Sequence, residues 1–219
     1  MGDASLTWRV GLAEHPLHHQ DRSLVDSEMG LFGVFDGVGQ FARSGAAAQL
    51  AAEVIAEVCR AGDLSALEAM LAGSARAESL IRQRALGCTT ATVIWVSGSQ
   101  LQYVSVGDSR LYRQPATGSP LEQITVDEGE GNILFNALGE GPDRNGLSVA
   151  PQHGTLRLSS GDKLLLVTDG ITGDFEPDIL TEQELAAAVA GGDPQRAAER
   201  LLEIARKRDD RTALVVFLD

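Results

Sequence analysis

One stretch decides the fold of this chain: Leu31-Phe32-Gly33-Val34-Phe35-Asp36-Gly37-Val38-Gly39-Gln40. Its first half is apolar and rich in aromatic and β-branched residues, which is typical of a buried strand. Asp36 follows where that strand ends, and the glycines after it permit an unusual turn or a close backbone approach. A carboxylate buried alone costs free energy, so this one needs a counter-charge. The simpler interpretation is a strand followed by an ordinary Asp-Gly turn.

The composition is that of a globular protein. The chain has 219 residues, of which 43% are hydrophobic and 22% charged, so we expect a single domain over residues 1–219 with a substantial core. No apolar run approaches a membrane span, and the first segment lacks a basic start followed by an apolar stretch. We therefore expect a cytoplasmic protein. Cys59 and Cys88 are predicted to be small buried hydrophobic residues rather than metal ligands or disulfide partners.

The net charge of −13 argues against nucleic acid and anionic membranes as partners. An acidic total is by default a solvated surface. A metal site would use part of this charge locally, and only the positions of the carboxylates can distinguish the two.

Hydrophobic periodicity predicts two helices, then many strands, then two helices and a last strand, which together describe an α+β layered domain. Asp63 is expected to cap the second helix, and Thr181 with Glu184 to form a capping box on the third. The segments 155–158 and 163–168 are expected to pair as a hairpin. The predicted strands are 6–13, 23–25, 31–36, 88–96, 101–106, 110–114, 121–125, 155–158, 163–168 and 213–218, and the predicted helices are 42–60, 64–84, 181–190 and 193–207.

Five aspartates each stand at an end of a predicted strand: Asp21, Asp36, Asp108, Asp169 and Asp209. If those strand ends meet, several acidic groups converge, and they cannot all ionise unaided. Hard divalent cations with oxygen ligands would relieve the repulsion, which favours Mg²⁺ or Mn²⁺ over zinc. Residue types alone do not establish that the strand ends meet.

Here the sequence resembles a known family. Residues 32–39 resemble the aspartate-glycine strand end of metal-dependent serine/threonine protein phosphatases of type 2C (the PPM family) in their bacterial form. Further matches follow in order and cover nearly the whole chain, from about Trp8 to Phe217: Gly87-Cys88-Thr89-Thr90-Ala91, Val106-Gly107-Asp108-Ser109-Arg110, Ile124-Thr125-Val126-Asp127, Ala137-Leu138-Gly139, Ser160-Gly161-Asp162, Leu165-Leu166-Val167-Thr168-Asp169-Gly170 and Asp209-Asp210-Arg211-Thr212.

The resemblance implies a four-layer αββα sandwich, in which helix pairs flank two antiparallel sheets and the metals bind at one end. It implies that Asp36 bridges two ions and that the Gly37 carbonyl completes the shell of the second. Asp169 and Asp209 would hold the first ion. Asp108 is the candidate ligand of a third, weaker ion, and Asp21 and Gln20 would lie just outside the ligands.

The same resemblance implies the reaction. A water shared by two Mn²⁺ or Mg²⁺ ions is acidified and attacks phosphorus as hydroxide, with Asp36, Asp169 and Asp209 as the catalytic ligands. The expected substrates are phosphoserine and phosphothreonine on a protein, such as a protein kinase or its target. No Ser/His/Asp or Cys/Arg arrangement offers a protein nucleophile instead.

The chain departs from the family where a substrate phosphate would be gripped. The usual arginine five residues before the early aspartate is Pro16 here, and the usual glutamate before it is Gln20. One interpretation is that His18, His19, Arg22 or Arg43 replaces the lost cation. We favour the other, in which all four are solvated loop and helix residues. The segment 127–137 is also shorter than the family's usual flap.

Two further functions stay open beside the phosphatase. The first is a phosphatase-like binding module without turnover, motivated by Pro16, Gln20 and the short flap and opposed by the retained aspartates. The second is a dedicated phosphatase of the stress- or sporulation-regulator branch, which acts on one phosphoprotein and also tends to lack the arginine and the flap. Neither the partner kinase nor the oligomeric state follows from the sequence.

Overall fold

The fold was analysed in a computed structural model that describes residues 6–39, 41–131, 133–141 and 150–219. The predicted strands and helices occur in the predicted order, and the structure adds three short elements at residues 129–130, 133–134 and 169–172 that were not predicted. In chain order they are β1 (Trp8–His15), β2 (Arg22–Asp26), β3 (Leu31–Phe35), α1 (Ser44–Ala61), α2 (Ala66–Gln83), β4 (Ala91–Ser97), β5 (Gln100–Val106), β6 (Arg110–Gln114), β7 (Glu122–Gln123), β8 (Gly129–Glu130), β9 (Ile133–Leu134), β10 (Gln152–Arg157), β11 (Lys163–Val167), α3 (Asp169–Thr172), α4 (Glu182–Ala188), α5 (Pro194–Ile204) and β12 (Arg211–Leu218).

Two five-stranded antiparallel sheets form the centre of the molecule. One has the strand order β1-β12-β11-β6-β7 and the other β10-β5-β4-β3-β2. The helices α1 and α2 share a hydrophobic core with the second sheet, and α4 and α5 share one with the first. A third core joins the two sheets. This is the predicted four-layer αββα sandwich.

The central strands are apolar throughout because both of their faces are buried. In β3, Phe32 and Val34 enter the core between the sheets, whereas Leu31 and Phe35 enter the core under α1 and α2. The same two-residue alternation divides the side chains of β12 between two cores. An apolar run of this kind therefore marks a strand in the middle of a sandwich.

The helices follow the predicted pattern, with one correction at a cap. The second helix is capped by Ser65, not by Asp63: Ser65 and Glu68 form a capping box. The capping box of Thr181 and Glu184 is confirmed. Both boxes satisfy the free N–H groups of a first helical turn.

The hairpin predicted for 155–158 and 163–168 is wrong. The strand β10 pairs with β5 in one sheet, whereas β11 lies between β12 and β6 in the other. The turn at Ser160-Gly161-Asp162 therefore crosses between the two layers. Asp162 is buried there and accepts hydrogen bonds from Arg113 at 2.7 and 3.0 Å, which ties the crossing to β6.

Cys59 and Cys88 are both free and buried, as predicted. Burial raises the pKa of the Cys59 thiol to about 12 and that of Cys88 to about 11. In the described part of the chain, no helix combines the length and apolarity that a membrane crossing requires.

Candidate metal centre

Strand ends from both sheets meet at one end of the sandwich. Asp36 follows β3, Asp169 follows β11 and Asp209 precedes β12. They line a common cleft of about 660 Å³ together with Asp108 and Gln20. Three strands from the two sheets, β3, β11 and β12, thus deliver their carboxylates to one place, which the sequence pattern suggested but did not establish.

The backbone around Asp36 is fixed by the threonines before β4. The Asp36 amide donates to Thr90 Oγ1 at 2.9 Å, and the Asp36 carbonyl accepts from the Thr90 amide at 2.8 Å. Thr89 Oγ1 donates to the same carbonyl at 2.9 Å. Gly37 is packed so closely on α1 that an added Cβ would stand 2.6 Å from the carbonyl carbon of Ser44. Only glycine fits there.

The carboxylates repel one another strongly. Burial, together with the negative charges of Asp21, Asp169 and Asp108, raises the pKa of Asp36 well above its ordinary value. Burial and the charges of Asp169, Asp174 and Asp127 raise the pKa of Asp108 to about 7. A bound cation would reverse both effects.

Asp21 lies behind this cluster, between β11 and β12. Its Oδ2 accepts hydrogen bonds from Thr168 Oγ1 and Thr212 Oγ1, both at 2.8 Å. Its Oδ1 is buried without a hydrogen-bond partner, as is Oδ1 of Asp169. Burial is the main cause that raises the pKa of Asp21 to about 7. The orphaned Oδ1 of Asp169, which lines the cleft, fits a cation that completes it.

Asp209 and Asp210 have different tasks. Asp209 lines the cleft, whereas Asp210 is 2% exposed and turns toward the loop before β2. Asp210 accepts hydrogen bonds from consecutive backbone amides there, including those of His18 and Gln20 at 2.5 Å each. These bonds lower the pKa of Asp210. Asp210 therefore holds in place the loop that carries Gln20 and Asp21.

Sequence reasoning missed Asp174 and Lys207, which line the cleft among its carboxylates. The Lys207 ammonium donates to Oδ2 of Asp169, to Oδ2 of Asp174 at 2.9 Å and to Oδ2 of Asp209 at 3.0 Å. Neither residue stands at a strand end, so no periodicity marks it. The available signal was compositional: Lys207 is one of only two lysines in the chain.

In the described ranges, no three His, Cys, Asp or Glu side chains already form an arrangement that would hold one metal ion. The four cations considered as replacements for the arginine, His18, His19, Arg22 and Arg43, do not line the cleft. His18, His19 and Arg43 are exposed and Arg22 is half-buried.

Comparison with known proteins identifies the family. The family model described as stage II sporulation protein E (SpoIIE) matches residues 31–218. The chain belongs to the SpoIIE family. A curated relative of this SpoIIE-family chain is the probable protein phosphatase 2C 80 of Arabidopsis thaliana, which is 25% identical over 195 residues. That match covers 86% of the chain and 45% of the plant protein, so the chain spans about half the length of the curated relative.

Solved structures share the fold of the SpoIIE-family chain. One is PppA, described as a key regulatory component of T6SS in Pseudomonas aeruginosa, with a TM-score of 0.84, 24% identity and coverage of 98% of this chain and 99% of that one. Another is the catalytic domain of the serine/threonine protein phosphatase PstP in complex with two manganese ions, with a TM-score of 0.79, 22% identity and coverage of 98% and 99%. The resemblance to type 2C phosphatases and the predicted sandwich are thereby confirmed.

Proposed function

We propose that this chain is a metal-dependent phosphatase that hydrolyses phosphoserine and phosphothreonine on proteins, and that residues 1–219 act as one phosphatase domain. The observation that carries the proposal is the meeting of Asp36, Asp108, Asp169 and Asp209 in one cleft. The family match and the manganese in the similar PstP structure support the same activity.

The donor set fits Mn²⁺ or Mg²⁺. All candidate ligands are oxygens, and the buried Oδ1 of Asp169, which has no hydrogen-bond partner, is a place where a hard cation would satisfy buried charge. Asp36 and the Gly37 carbonyl would hold one ion, and Asp36, Asp169 and Asp209 the other. Asp108 is proposed for a third. Such ions, when bound, supply an acidified water and neutralise phosphoryl oxygens.

The chain's own residues hold the candidate ligands and the cleft wall in place. Thr89 and Thr90 fix the Asp36 backbone, and Asp210 fixes the loop that carries Gln20. Gln20 donates to Ser44 Oγ at 2.9 Å, so its side chain is oriented at the cleft wall. This preorganisation limits the movement needed when substrate binds.

The proposed substrates are phosphoproteins in the cytoplasm, such as a protein kinase or its target. A second candidate narrows this to one partner phosphoprotein in a stress- or sporulation-regulating system, and the SpoIIE family match favours it. Hydrolysis of such a partner, compared with that of a generic phosphothreonine peptide, would distinguish the two.

The test is phosphate release from a phosphothreonine peptide in Mn²⁺. Asp36→Asn and Asp169→Asn are each expected to lower the rate by a factor of about 100 or more. Asp63→Asn, the same change at an exposed position between α1 and α2, is the control and should leave the rate unchanged. Full activity in Asp36→Asn would refute the proposed function.

A further inference from the structure

A positive charge is already built into the acidic cleft. The ammonium of Lys207 has three N–H donors, and three carboxylates accept from it, those of Asp169, Asp174 and Asp209. The Lys207 side chain is only 17% exposed. One cation surrounded by three carboxylate oxygens is the arrangement that a bound metal ion would also produce.

The position of Lys207 is fixed from its backbone side. Its carbonyl accepts two hydrogen bonds from the Arg211 guanidinium, from Nε at 3.0 Å and from Nη2 at 2.6 Å. Arg211 is the first residue of β12, so the central strand anchors the residue that supplies the ammonium. The contact with the carboxylates thus belongs to the fold and is not made by a free surface side chain.

We propose that Lys207 is the resident cation on the Asp169 side of the centre, and that a divalent ion binds Asp169 and Asp209 only by displacing the Lys207 ammonium. The inference rests on the proposed function, because it concerns the same metal centre. Among the described contacts of Lys207, none goes to Asp36, so the ion on the Asp36 and Gly37 side meets no such competitor. The two ions should therefore bind with unequal affinity.

The displacement has a direct thermodynamic consequence. An incoming ion must break the charge-assisted hydrogen bonds of Lys207 to Asp169 and Asp209 before it gains its own contacts with them, and this cost is subtracted from its binding free energy. A neutral side chain of similar length removes the cost. Lys207→Met should therefore bind Mn²⁺ at the weaker site at least about tenfold more tightly than the wild type.

The first test is calorimetric titration of the metal-stripped full chain with Mn²⁺. Wild type, Lys207→Met and Lys163→Met are compared. Lys163 is the matched control because it is the other lysine, and its ammonium donates to the carbonyls of Val189 and Gly191 away from the cleft. Tighter binding in Lys207→Met alone supports the proposal. Equal or weaker binding overturns it and leaves the proposed function intact, whereas no Mn²⁺ binding in any variant overturns both.

A second test uses the wild type, so it does not depend on how a variant folds. The chain is labelled with a trace of acetic anhydride, with and without Mn²⁺, and acetylation of each lysine is read by mass spectrometry. Displacement predicts that Mn²⁺ raises acetylation of Lys207 at least about twofold, because the amine is no longer held in charge-assisted hydrogen bonds by its carboxylate partners. Lys163 is the internal standard. Unchanged or reduced labelling of Lys207 relative to Lys163 overturns the proposal.

Discussion

Oδ2 of Asp21 accepts a 2.8 Å hydrogen bond from Oγ1 of Thr212, a residue 191 positions later in the chain. The contact joins the loop before β2 to the central strand β12. It satisfies one oxygen of a buried carboxylate and leaves the other, Oδ1, without a partner. In the absence of metal, ionised carboxylates at this centre therefore destabilise the fold, and the free energy of unfolding should depend on pH.

The first prediction is that the metal-free protein loses stability as pH rises. The pKa values of Asp21 and Asp108 are both raised to about 7, so each binds its proton more tightly folded than unfolded. The stabilisation is complete below the unfolded pKa and disappears as pH rises through about 7. Thermal unfolding in EDTA between about pH 5 and about pH 8 measures the effect.

Carboxylates with lowered pKa values, such as Asp210, do not obscure this effect, because they change stability only at lower pH and in the opposite direction. Two controls, a variant and a metal addition, isolate the effect. Asp21→Asn cannot ionise, so its melting temperature should vary less with pH than that of the wild type. Saturating Mn²⁺ should also flatten the wild-type profile. A metal-free profile that rises from pH 5 to pH 8 would contradict the electrostatic account.

The strand-end position of Asp36 and Asp169 could be predicted because burial on both faces makes a central strand apolar until it ends. The pairing of β10 and β11 could not, because neighbours in sequence need not share a sheet. A sign was available in the sequence: residues 152–157, Gln-His-Gly-Thr-Leu-Arg, are mostly polar as in an edge strand, whereas residues 163–167, Lys-Leu-Leu-Leu-Val, are an apolar run. Asp174 and Lys207 were missed because only the tertiary fold brings them to the cleft.

The second prediction concerns the anchor under the loop. Asp210→Ala removes the acceptor of several backbone amides, among them those of His18 and Gln20. These amides are part-buried, and leaving them without partners should destabilise the fold by about 1–3 kcal/mol. Asp210→Asn keeps one oxygen acceptor and should fall between Asp210→Ala and the wild type. Urea unfolding gives these values, with Asp63→Ala as the exposed control, and equal midpoints for Asp210→Ala and Asp63→Ala would refute the anchoring role.

The third prediction compares two glycines. A Cβ at Gly170 would stand 1.8 Å from the carbonyl oxygen of Asp210, whereas a Cβ at Gly191 meets nothing within 4 Å. Gly170→Ala should therefore push α3 away from β12 and destabilise the fold by about 3 kcal/mol. Gly191→Ala should be neutral or slightly stabilising. Denaturant unfolding of both variants measures the difference in stability. Similar midpoints would show that the contact at Gly170 is not tight.

The last prediction concerns the apolar rim of the cleft. Phe175 and Ile133 line it although their side chains are 58% and 63% exposed. Phe135, on the same short hairpin segment as Ile133, is 64% exposed but does not line the cleft. Exposed aromatic side chains beside a proposed active site offer contact area to residues next to the phosphorylated one.

Phe175→Ala should therefore lower kcat/KM for a phosphothreonine peptide with apolar flanking residues by about tenfold, a loss of roughly 1.4 kcal/mol. Hydrolysis of p-nitrophenyl phosphate, which has no flanking residues, should change little, because the chemistry at the carboxylates is untouched. Phe135→Ala is the matched control and should leave both rates near the wild type. Equal losses on the peptide and on the small ester would mean that Phe175 supports the fold of the cleft and not the contact with substrate.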